Sequence, residues 1–539
     1  MLLKCLVAIP LTVVLTVTSC TDGFEELNVD PFSPTETSNQ FLFNGIVSQL
    51  QKPGNFVLYT ANQRLYQWSQ LAASAGGGPA AGSDSPNNMN TLGIETTWYD
   101  FFAVGRTYRA LEKRLEEDFD PERQTNTLAI ARILWAYYAL QVTDLYGGMP
   151  FSEAGMGALG IPRPKYDTQE EVYTSALAML KEAVDNIIVD YTDKKTAAGN
   201  AYADYGSGDI FLANDMAEWK KFGNTVRLRH GLRISNVNAS LAQTHVSEAI
   251  SGGVLDGDGF AFTNNGANWF GFEFYAGIRM GENAWKYMNA DDDPAVDGSD
   301  IIDPRVHIWY ETNEDDEWVA MPQSWGANDR ADMTGFPYQS DRRNDNDDVA
   351  GDFKGNYSGF NWYMANTSDS ESIEPTFTAS EVCFMKAEAI LKGWASGSAQ
   401  TEYENGIRSS IIRWYAEGAL HNDWTAAPPT PTDGEINDFI THARIAYAGD
   451  GDAGLRQIHT QRWLDYYKRP EQAWHLILRG GTIPMLEVKH RITDEVLPTP
   501  RRIQYPIDEL NQNADNYLEQ IQRIGGADEI TVRNWWDVN

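Results

Sequence analysis

Aromatic side chains are the residues of this sequence with the clearest chemical potential. Between Trp269 and Tyr275, five of seven residues are aromatic, and so many rings cannot all point inward from a short loop. An exposed ring offers an apolar face to the C–H groups of a sugar or to a peptide, while nearby amides and carboxylates bind hydroxyl groups. The alternative for any single ring is packing beneath a loop. The candidate ligand contacts are Trp98, Trp269, Tyr275, Trp309 and Trp325.

Motifs for catalysis are missing from the sequence. It contains no G-x-S-x-G elbow, no H-E-x-x-H pair and no Walker A loop. Gly155, Gly157 and Gly160 match the spacing of a dinucleotide-binding loop, but Pro150 and Pro162 flank them and no strand leads into them. A carboxylate pair for glycoside hydrolysis depends on three-dimensional separation, so the sequence leaves that activity open. We predict a binding protein rather than an enzyme, with no catalytic residue.

Cofactor sites are not predicted. The three cysteines form no CxxC pair and no cluster with histidine at zinc spacing. Two acidic clusters, at residues 291–293 and 345–348, contain enough carboxylates for calcium but lack the glycine and terminal glutamate of an EF-hand. Solvated acidic loops are the favoured interpretation, and structural calcium is the alternative.

The charge of the chain restricts its partners. Its 539 residues include 42 Lys and Arg against 76 Asp and Glu, for a formal net charge of −34. This excess argues against nucleic acid and against electrostatic attachment to an anionic membrane. It favours neutral ligands over acidic ones.

The N-terminus has the pattern of an export signal. Residues 1–19 combine Lys4 with an apolar run too short to span a bilayer, and Val17-Thr18-Ser19-Cys20 resembles the lipobox of bacterial lipoproteins. We therefore predict a signal peptide over residues 1–19 and lipidation of Cys20. Acyl chains would anchor the protein to the membrane. The acidic residues that follow resemble a surface-export signal, and residues 20–38 are predicted to form a tether.

The elements that must position the rings are mainly helices. The stretch from Thr127 to Glu153 is apolar on nearly every side up to Leu145, which predicts a buried central helix that ends at Gly147. Asp144 in its last turn opposes the helix dipole, so we expect a basic partner or donors from the following loop. Arg229 and Arg233 lie one turn apart and are predicted to pair with carboxylates.

Capping boxes at Thr168 and Thr378, each followed by Glu three residues later, mark two further helix starts. The helix after Thr378 and the next one, with Ile407 and Trp414 in its apolar stripe, predict a helical hairpin of the tetratricopeptide type. Residues 62–74 and 455–479 are each predicted to be helical. Residues 252–376 lack periodicity and are rich in Asp, Asn, Gly and aromatic residues.

Several short motifs, taken in this order, resemble the SusD/RagB family of surface nutrient-binding lipoproteins, most of all its second large branch. The match extends over the whole chain, with Arg479-Gly480-Gly481 as a departure where the family often has paired arginines. The motifs are the lipobox at Cys20, Leu27-Asn28-Val29-Asp30-Pro31, Asp144-Leu145-Tyr146-Gly147 with Pro150, Trp219-Lys220-Lys221-Phe222-Gly223-Asn224-Thr225, Asp303-Pro304-Arg305, Ala387-Glu388-Ala389, Gln461-Arg462-Trp463, Arg501 with Tyr505-Pro506, and Trp535-Trp536-Asp537.

This resemblance implies a mainly α fold, a scaffold of tetratricopeptide-like helical pairs with a large, irregular, loop-rich face and few short strands. The expected parts are an N-terminal helical part at 39–250, a ligand-face segment at 251–377 and a C-terminal helical part at 378–539 that closes the same scaffold. The resemblance also implies an outer-membrane, cell-surface location and delivery of oligosaccharides to a SusC-like TonB-dependent transporter. A peptide-binding member of the family and a glycan-degrading surface enzyme are the alternatives. A protein-interaction scaffold without a small ligand also stays open.

Overall fold

The helices of the computed structural model follow the apolar periodicity of the sequence. The model describes residues 37–50, 52, 54–74, 89, 91–117, 121–189, 205–263, 278–289, 301–313, 315–323, 357–361, 373–420, 427–490, 493 and 495–538. In this part of the chain the α-helices are α1 Asn39–Val47, α2 Tyr66–Trp68, α3 Thr91–Glu117, α4 Pro121–Tyr146, α5 Gln169–Asn186, α6 Met216–Arg233, α7 Ala239–Gly252, α8 Glu282–Met288, α9 Val306–Trp309, α10 Ala379–Leu391, α11 Ala399–Gly418, α12 Asp433–Thr441, α13 Asp452–Asp465, α14 Pro470–Gly480, α15 Asp508–Gln512 and α16 Ala514–Arg523. A π-helix spans Phe56–Leu65, and short 3-10 turns span Ser48–Leu50, Gly157–Leu159 and Gly206–Gly208.

The predicted central helix is α4. It packs against α3, α5 and α6, and its residues from Leu128 to Tyr146 are buried except for two that are partly exposed. Trp135 of α4 stacks on Phe101 and Tyr108 of α3, with ring centroids 4.7 and 5.0 Å apart. The helix ends at Gly147, whose φ of +87° lies in the left-handed region that glycine adopts without a Cβ penalty. The predicted helix and its stop signal are confirmed.

The helical pairs follow one another along the chain. Helix α5 packs on α6, α6 on α7, and α10 forms the predicted hairpin with α11, against which α13 also packs. Thr168 caps α5 in a complete capping box with Glu171. The fold is mainly helical with few strands, as predicted. In the described part of the chain, none of the helices is both long enough and apolar enough to cross a membrane.

In the described part of the chain, two short sheets interrupt the helices. Strand β1 (Ala72–Ser74) pairs antiparallel with β3 (Ile278–Met280), and β2 (Ala261–Thr263) pairs antiparallel with β4 (Ile373–Pro375). The helix predicted over 62–74 therefore stops early, because its last residues pair with a strand more than two hundred residues away. The helix predicted over 455–479 is two helices, α13 and α14, separated at Pro470.

Hydrophobic side chains form two cores, and the C-terminal residues return to the first of them. The first core gathers α1 and α3–α7, and Trp474, Tyr517 and Trp536 from the end of the chain pack into it. The second core gathers α8, α9 and α11–α14. The boundaries at 39–250, 251–377 and 378–539 stay predictions.

Buried ion pairs lie within the N-terminal half of the chain, as Asp144–Arg233, and between its N-terminal and C-terminal halves, as Arg229–Glu381, and they fulfil the expectation for the basic residues. Asp144 contacts Arg233 at 2.5 Å between Oδ2 and Nη1. Burial raises the pKa of Asp144 to about 6, although Arg233 and the Tyr173 hydroxyl act to lower it. Arg229 pairs with Glu381 at 2.7 Å. The capping box predicted at Thr378 is only half formed, because Glu381 binds arginines and not the Thr378 backbone N–H.

Candidate functional site

A pocket of about 210 Å³ opens where the first sheet meets the C-terminal part of the chain. It lies between the end of α2, residue 323, and residues 485–488 and 496–500. Its wall combines amides with an indole and aliphatic or proline side chains, and Glu487 is the one acidic residue among them. Its lining residues are Gln67, Trp68, Gln70, Gln323, Met485, Leu486, Glu487, Val488, Val496, Leu497, Pro498, Thr499 and Pro500.

Gln70 fixes the shape of this pocket. Its side-chain Oε1 accepts hydrogen bonds from the Leu486 backbone N–H and from Asn283 Nδ2, each at 2.9 Å. Its Nε2 donates to the Leu486 carbonyl at 2.8 Å. The backbone of Gln70 has a φ of +56°, which is costly for a residue with a side chain and persists because these three bonds hold it. One amide therefore joins α2, α8 and the C-terminal wall.

Gln323 presents an acceptor that no group in the described part of the chain uses. Its Nε2 donates to the Ala72 carbonyl at 3.1 Å, and since a carbonyl only accepts, the orientation of the amide is set. Its Oε1 is buried and has no hydrogen-bond partner within the described part of the chain. A Cβ on Gly281 would lie 2.6 Å from this oxygen, so a larger residue there would displace the amide. A ligand hydroxyl is the kind of donor that would satisfy this oxygen.

Three stretches that lie outside the described residues begin or end close to this place. Ser74, which precedes residues 75–88, and Ile278, which follows residues 264–277, are paired in the register of β1 and β3. Met321, close before residues 324–356, forms a parallel bridge with Gly281. The described residues that border all three stretches therefore lie together at the pocket. Trp269, Tyr275 and Trp325 belong to two of these segments and lie outside the described residues, so their roles stay predictions.

The structure contradicts the prediction for Trp98. Its side chain is 0% exposed, and its ring packs against Tyr146, Tyr166 and Tyr505 with centroid distances of 5.2 to 6.0 Å. Its indole N–H donates to Glu509 Oε1 at 3.0 Å. A ring enclosed on every side has no face to offer a ligand, so Trp98 is a core residue.

Trp309 is likewise a core residue and not a ligand contact. It is 1% exposed and stacks on Tyr467 at a centroid distance of 4.8 Å with the ring planes 5° apart. Trp414 packs edge-on against it at 5.6 Å, and the Arg305 guanidinium lies 5.1 Å from its centroid. The predicted group of ring contacts is therefore wrong at both positions that the structure describes.

The sequence carries few signals for the residues that line the pocket. Trp68 lies in the helix predicted over 62–74, and it is 5% exposed, with its ring 5.1 Å from Trp474. The sequence predicts no ligand contact at Leu497-Pro498-Thr499-Pro500. One feature of the sequence points to Gln323, which stands two residues before the predicted ligand contact Trp325. Single amides follow no pattern from which a contact to a distant strand could be deduced.

Metal and lipid sites fall largely outside the described residues. In the part of the chain that the structure describes, no group of three His, Cys, Asp or Glu side chains is placed to hold a metal ion. The two acidic clusters at 291–293 and 345–348 lie outside that part, and so does Cys20. Calcium binding and lipidation therefore stay predictions.

The architecture of packed helical pairs defines a tetratricopeptide-like class of protein. Within that class, the profile of the second SusD-like family, described as starch-binding and associating with the outer membrane, matches residues 31–506. The chain therefore belongs to the SusD-like family. No curated protein matches the sequence.

Solved structures support the same fold. A SusD homologue from Parabacteroides distasonis has a TM-score of 0.73 at 21% identity, covering 93% of this chain and 98% of that one. A structure named as a chitin-binding protein has a TM-score of 0.71 at 21% identity, covering 93% of this chain and 100% of that one. A chitin-binding SusD homologue from Flavobacterium johnsoniae has a TM-score of 0.67 at 21% identity, covering 93% and 99%. At this level of identity the likeness establishes the fold.

Proposed function

We propose that this protein binds neutral oligosaccharides at the cell surface and delivers them to a TonB-dependent outer-membrane transporter. The observation that carries the proposal is the pocket at the first sheet, where Gln323 offers an acceptor that no described residue uses, and where described residues bordering the stretches 75–88, 264–277 and 324–356 lie together. Such a combination of apolar wall and few polar groups suits a small, uncharged, hydroxyl-rich ligand.

The chemistry of the pocket favours sugars for a specific reason. A sugar hydroxyl can donate to Gln323 Oε1, while its ring C–H groups pack against aliphatic and proline side chains of the wall. Trp269, Tyr275 and Trp325 are proposed to add ring faces from the neighbouring segments. The net charge of −34 disfavours acidic polymers at this pocket. Two solved structures of this fold are named as chitin-binding, which makes N-acetylglucosamine oligomers the first ligands to test.

The proposed location and partner follow from family membership and from the N-terminal sequence. Cys20 would carry the lipid, residues 20–38 would form the tether, and the helical body would sit over a SusC-like transporter in the outer membrane. In this proposal the protein binds the oligosaccharide and does not hydrolyse it. Co-purification of a large β-barrel with the lipidated protein tests the partner.

Calorimetry tests the ligand. The soluble form starting at residue 21 is titrated with N-acetylglucosamine oligomers, with maltooligosaccharides and with peptides. Replacing Gln323→Leu removes the acceptor, and loss of one neutral hydrogen bond of about 1 kcal/mol should weaken oligosaccharide binding about fivefold. Gln243→Leu, on the exposed side of α7, is the matched control and should bind like the wild type.

Three results would contradict the proposal. Binding of peptides with no response to any oligosaccharide would favour the peptide-binding alternative. Equal affinities for the Gln323→Leu and Gln243→Leu variants, with both folded by circular dichroism, would exclude this pocket as the binding site. Cleavage of the oligosaccharide during the titration would exclude a purely binding role.

A further inference from the structure

A second cleft, separate from the pocket of the proposed function, is lined by arginine residues. It has a volume of about 480 Å³, which lies within the usual range for small-molecule sites, about 300 to 1,000 Å³. Among the described residues, fourteen line it, and they include three arginines, Arg502, Arg523 and Arg533, and no acidic residue. In a chain with 76 acidic residues against 42 basic ones, such a lining is unusual. The cleft, which we name the arginine cleft, shares no lining residue with the pocket at the first sheet.

Arg502 supplies a fixed donor to this cleft. The residue is 1% exposed, and its guanidinium lies 4.4 Å from the centroid of the Tyr505 ring. Its Nε donates to the Tyr146 carbonyl at 3.0 Å, and its Nη1 pairs with Asp528. Its Nη2 is buried and has no hydrogen-bond partner within the described residues. The guanidinium is thus held in one orientation, and the two N–H donors of its Nη2 are left for a ligand.

Gln520 supplies a fixed acceptor. The Tyr505 hydroxyl donates its only proton to the Gly148 carbonyl at 2.7 Å, so it can only accept from Gln520 Nε2 at 3.1 Å. This contact sets the orientation of the amide and leaves Gln520 Oε1 facing away from Tyr505. That oxygen is buried without a partner in the described part of the chain, and the residue is 2% exposed.

The other two arginines add positive charge at the opening. Arg523 donates to the Tyr166 carbonyl at 2.7 Å and pairs with Glu519, with 37% of its side chain exposed. Arg533 is exposed and forms no ion pair among the described residues. Two of the three arginines thus already have a carboxylate partner, and Arg533 leaves one positive charge uncompensated at the cleft.

These groups together specify the chemistry of an occupant. A fixed N–H of a guanidinium beside an unpaired arginine favours an oxyanion, because charge-assisted hydrogen bonds are the stronger kind. A fixed amide oxygen favours an O–H donor on the same molecule. We propose that the arginine cleft binds an acidic sugar of the uronate type, whose carboxylate faces Arg502 and Arg533 and whose hydroxyl donates to Gln520. Inorganic phosphate also presents anionic oxygens to the arginines, so the test must distinguish phosphate binding from binding of a sugar acid.

The experiment titrates the soluble protein with glucuronate, with glucose and with inorganic phosphate. Glucuronate should give saturable binding and glucose should not displace it, because glucose lacks the carboxylate. Arg533→Gln removes the uncompensated charge without touching a buried contact and should weaken glucuronate binding about tenfold. Arg456→Gln, an exposed arginine of α13 outside the cleft, removes the same charge and should leave binding unchanged.

Each remaining outcome overturns the assignment. No saturable binding of glucuronate means that the cleft holds only water. Tighter binding of phosphate than of glucuronate would show that the cleft is a phosphate site and not a site for a sugar acid. Equal weakening by Arg533→Gln and Arg456→Gln shows a general charge effect and no site. Loss of glucuronate binding in the Gln323→Leu variant would place the uronate in the other pocket. Because the two sites share no lining residue, failure here leaves oligosaccharide binding at the first sheet unaffected.

Discussion

Replacing Glu381→Gln should destabilise the fold more than any surface substitution, because Glu381 carries the charge at the centre of the contact between the two halves. The side chain is 0% exposed. It accepts two hydrogen bonds from Arg229, both at 2.7 Å, and one from the Tyr466 hydroxyl at 2.7 Å, and Arg469 also pairs with it. The substitution keeps the shape of the side chain and removes its charge.

The expected magnitude follows from burial. Without the carboxylate, the buried guanidinium groups of Arg229 and Arg469 lose their counter-charge, and breaking a buried ion pair from one side costs about 3–5 kcal/mol of the free energy of unfolding. The pKa of Glu381 agrees with this strong coupling. Burial alone would raise it, but Arg229 and Arg469 lower it, and the net pKa is well below the ordinary value.

Urea denaturation at neutral pH measures the effect. Glu117→Gln is the control, because Glu117 pairs with Lys113 at 3.5 Å on the surface, with 63% and 55% of the side chains exposed. Exposed pairs contribute about 0–1 kcal/mol, so the control should unfold at nearly the wild-type midpoint. A loss of less than about 1 kcal/mol for Glu381→Gln would refute the view that this pair holds the halves together.

The pH dependence of the free energy of unfolding is a second, independent test of the Glu381–Arg229 pair. A carboxyl group with a lowered folded pKa stabilises the fold above its unfolded pKa, near the ordinary value of 4.5, and loses that contribution as the pH falls towards the folded pKa. The wild type should therefore lose stability below about pH 4.5, by up to about 1.4 kcal/mol per pH unit for this one group. Glu381→Gln lacks the group, so the difference between the two proteins should narrow with falling pH.

Two further substitutions test separate parts of the interpretation. Trp98→Ala should cost about 3–5 kcal/mol of stability, measured by urea denaturation, because a fully buried indole leaves a cavity; oligosaccharide affinity of the folded fraction should stay at the wild-type value, and a selective loss of affinity would restore Trp98 as a ligand contact. Cys20→Ala should move the protein from the membrane fraction to the soluble fraction in cell fractionation, and continued membrane association would contradict lipid anchoring at this residue.

The helices were predictable because their signals are local. The apolar stretch that became α4, the glycine at its end and the capping box at Thr168 each depend on residues within a few turns of one another. The basic partner of Asp144 was also predictable as a type of residue, since a buried carboxylate needs one. Its identity as Arg233, 89 positions away, depends on how the helices pack.

Tertiary contacts explain where local signals failed. Thr378 and Glu381 have the spacing of a capping box, yet Glu381 binds Arg229 from 152 positions earlier, because two charge-assisted bonds outweigh one to a backbone N–H. Residues 72–74 continue an apolar pattern that suits a helix, but pairing with β3 makes them a strand. In both cases a distant partner decided between two locally acceptable structures.

The candidate site was harder to predict, because aromatic residues are as typical of a hydrophobic core as of a ligand site. Large aromatic side chains bury much apolar area, so a sequence search for rings finds packing residues as readily as ligand contacts. Trp98 and Trp309 are examples, each enclosed by other aromatic rings. The amides of Gln70 and Gln323 were overlooked because an amide has no sequence pattern, and its role depends on which backbone groups surround it.

Backbone contacts fix the described residues that border the stretches 75–88, 264–277 and 324–356. Ser74 and Ile278 are joined by strand pairing, and Gln323 is tied to the Ala72 carbonyl, so neither contact depends on the side chains of those stretches. We therefore predict that substitutions within these stretches leave the stability of the helical scaffold unchanged, which urea denaturation would measure.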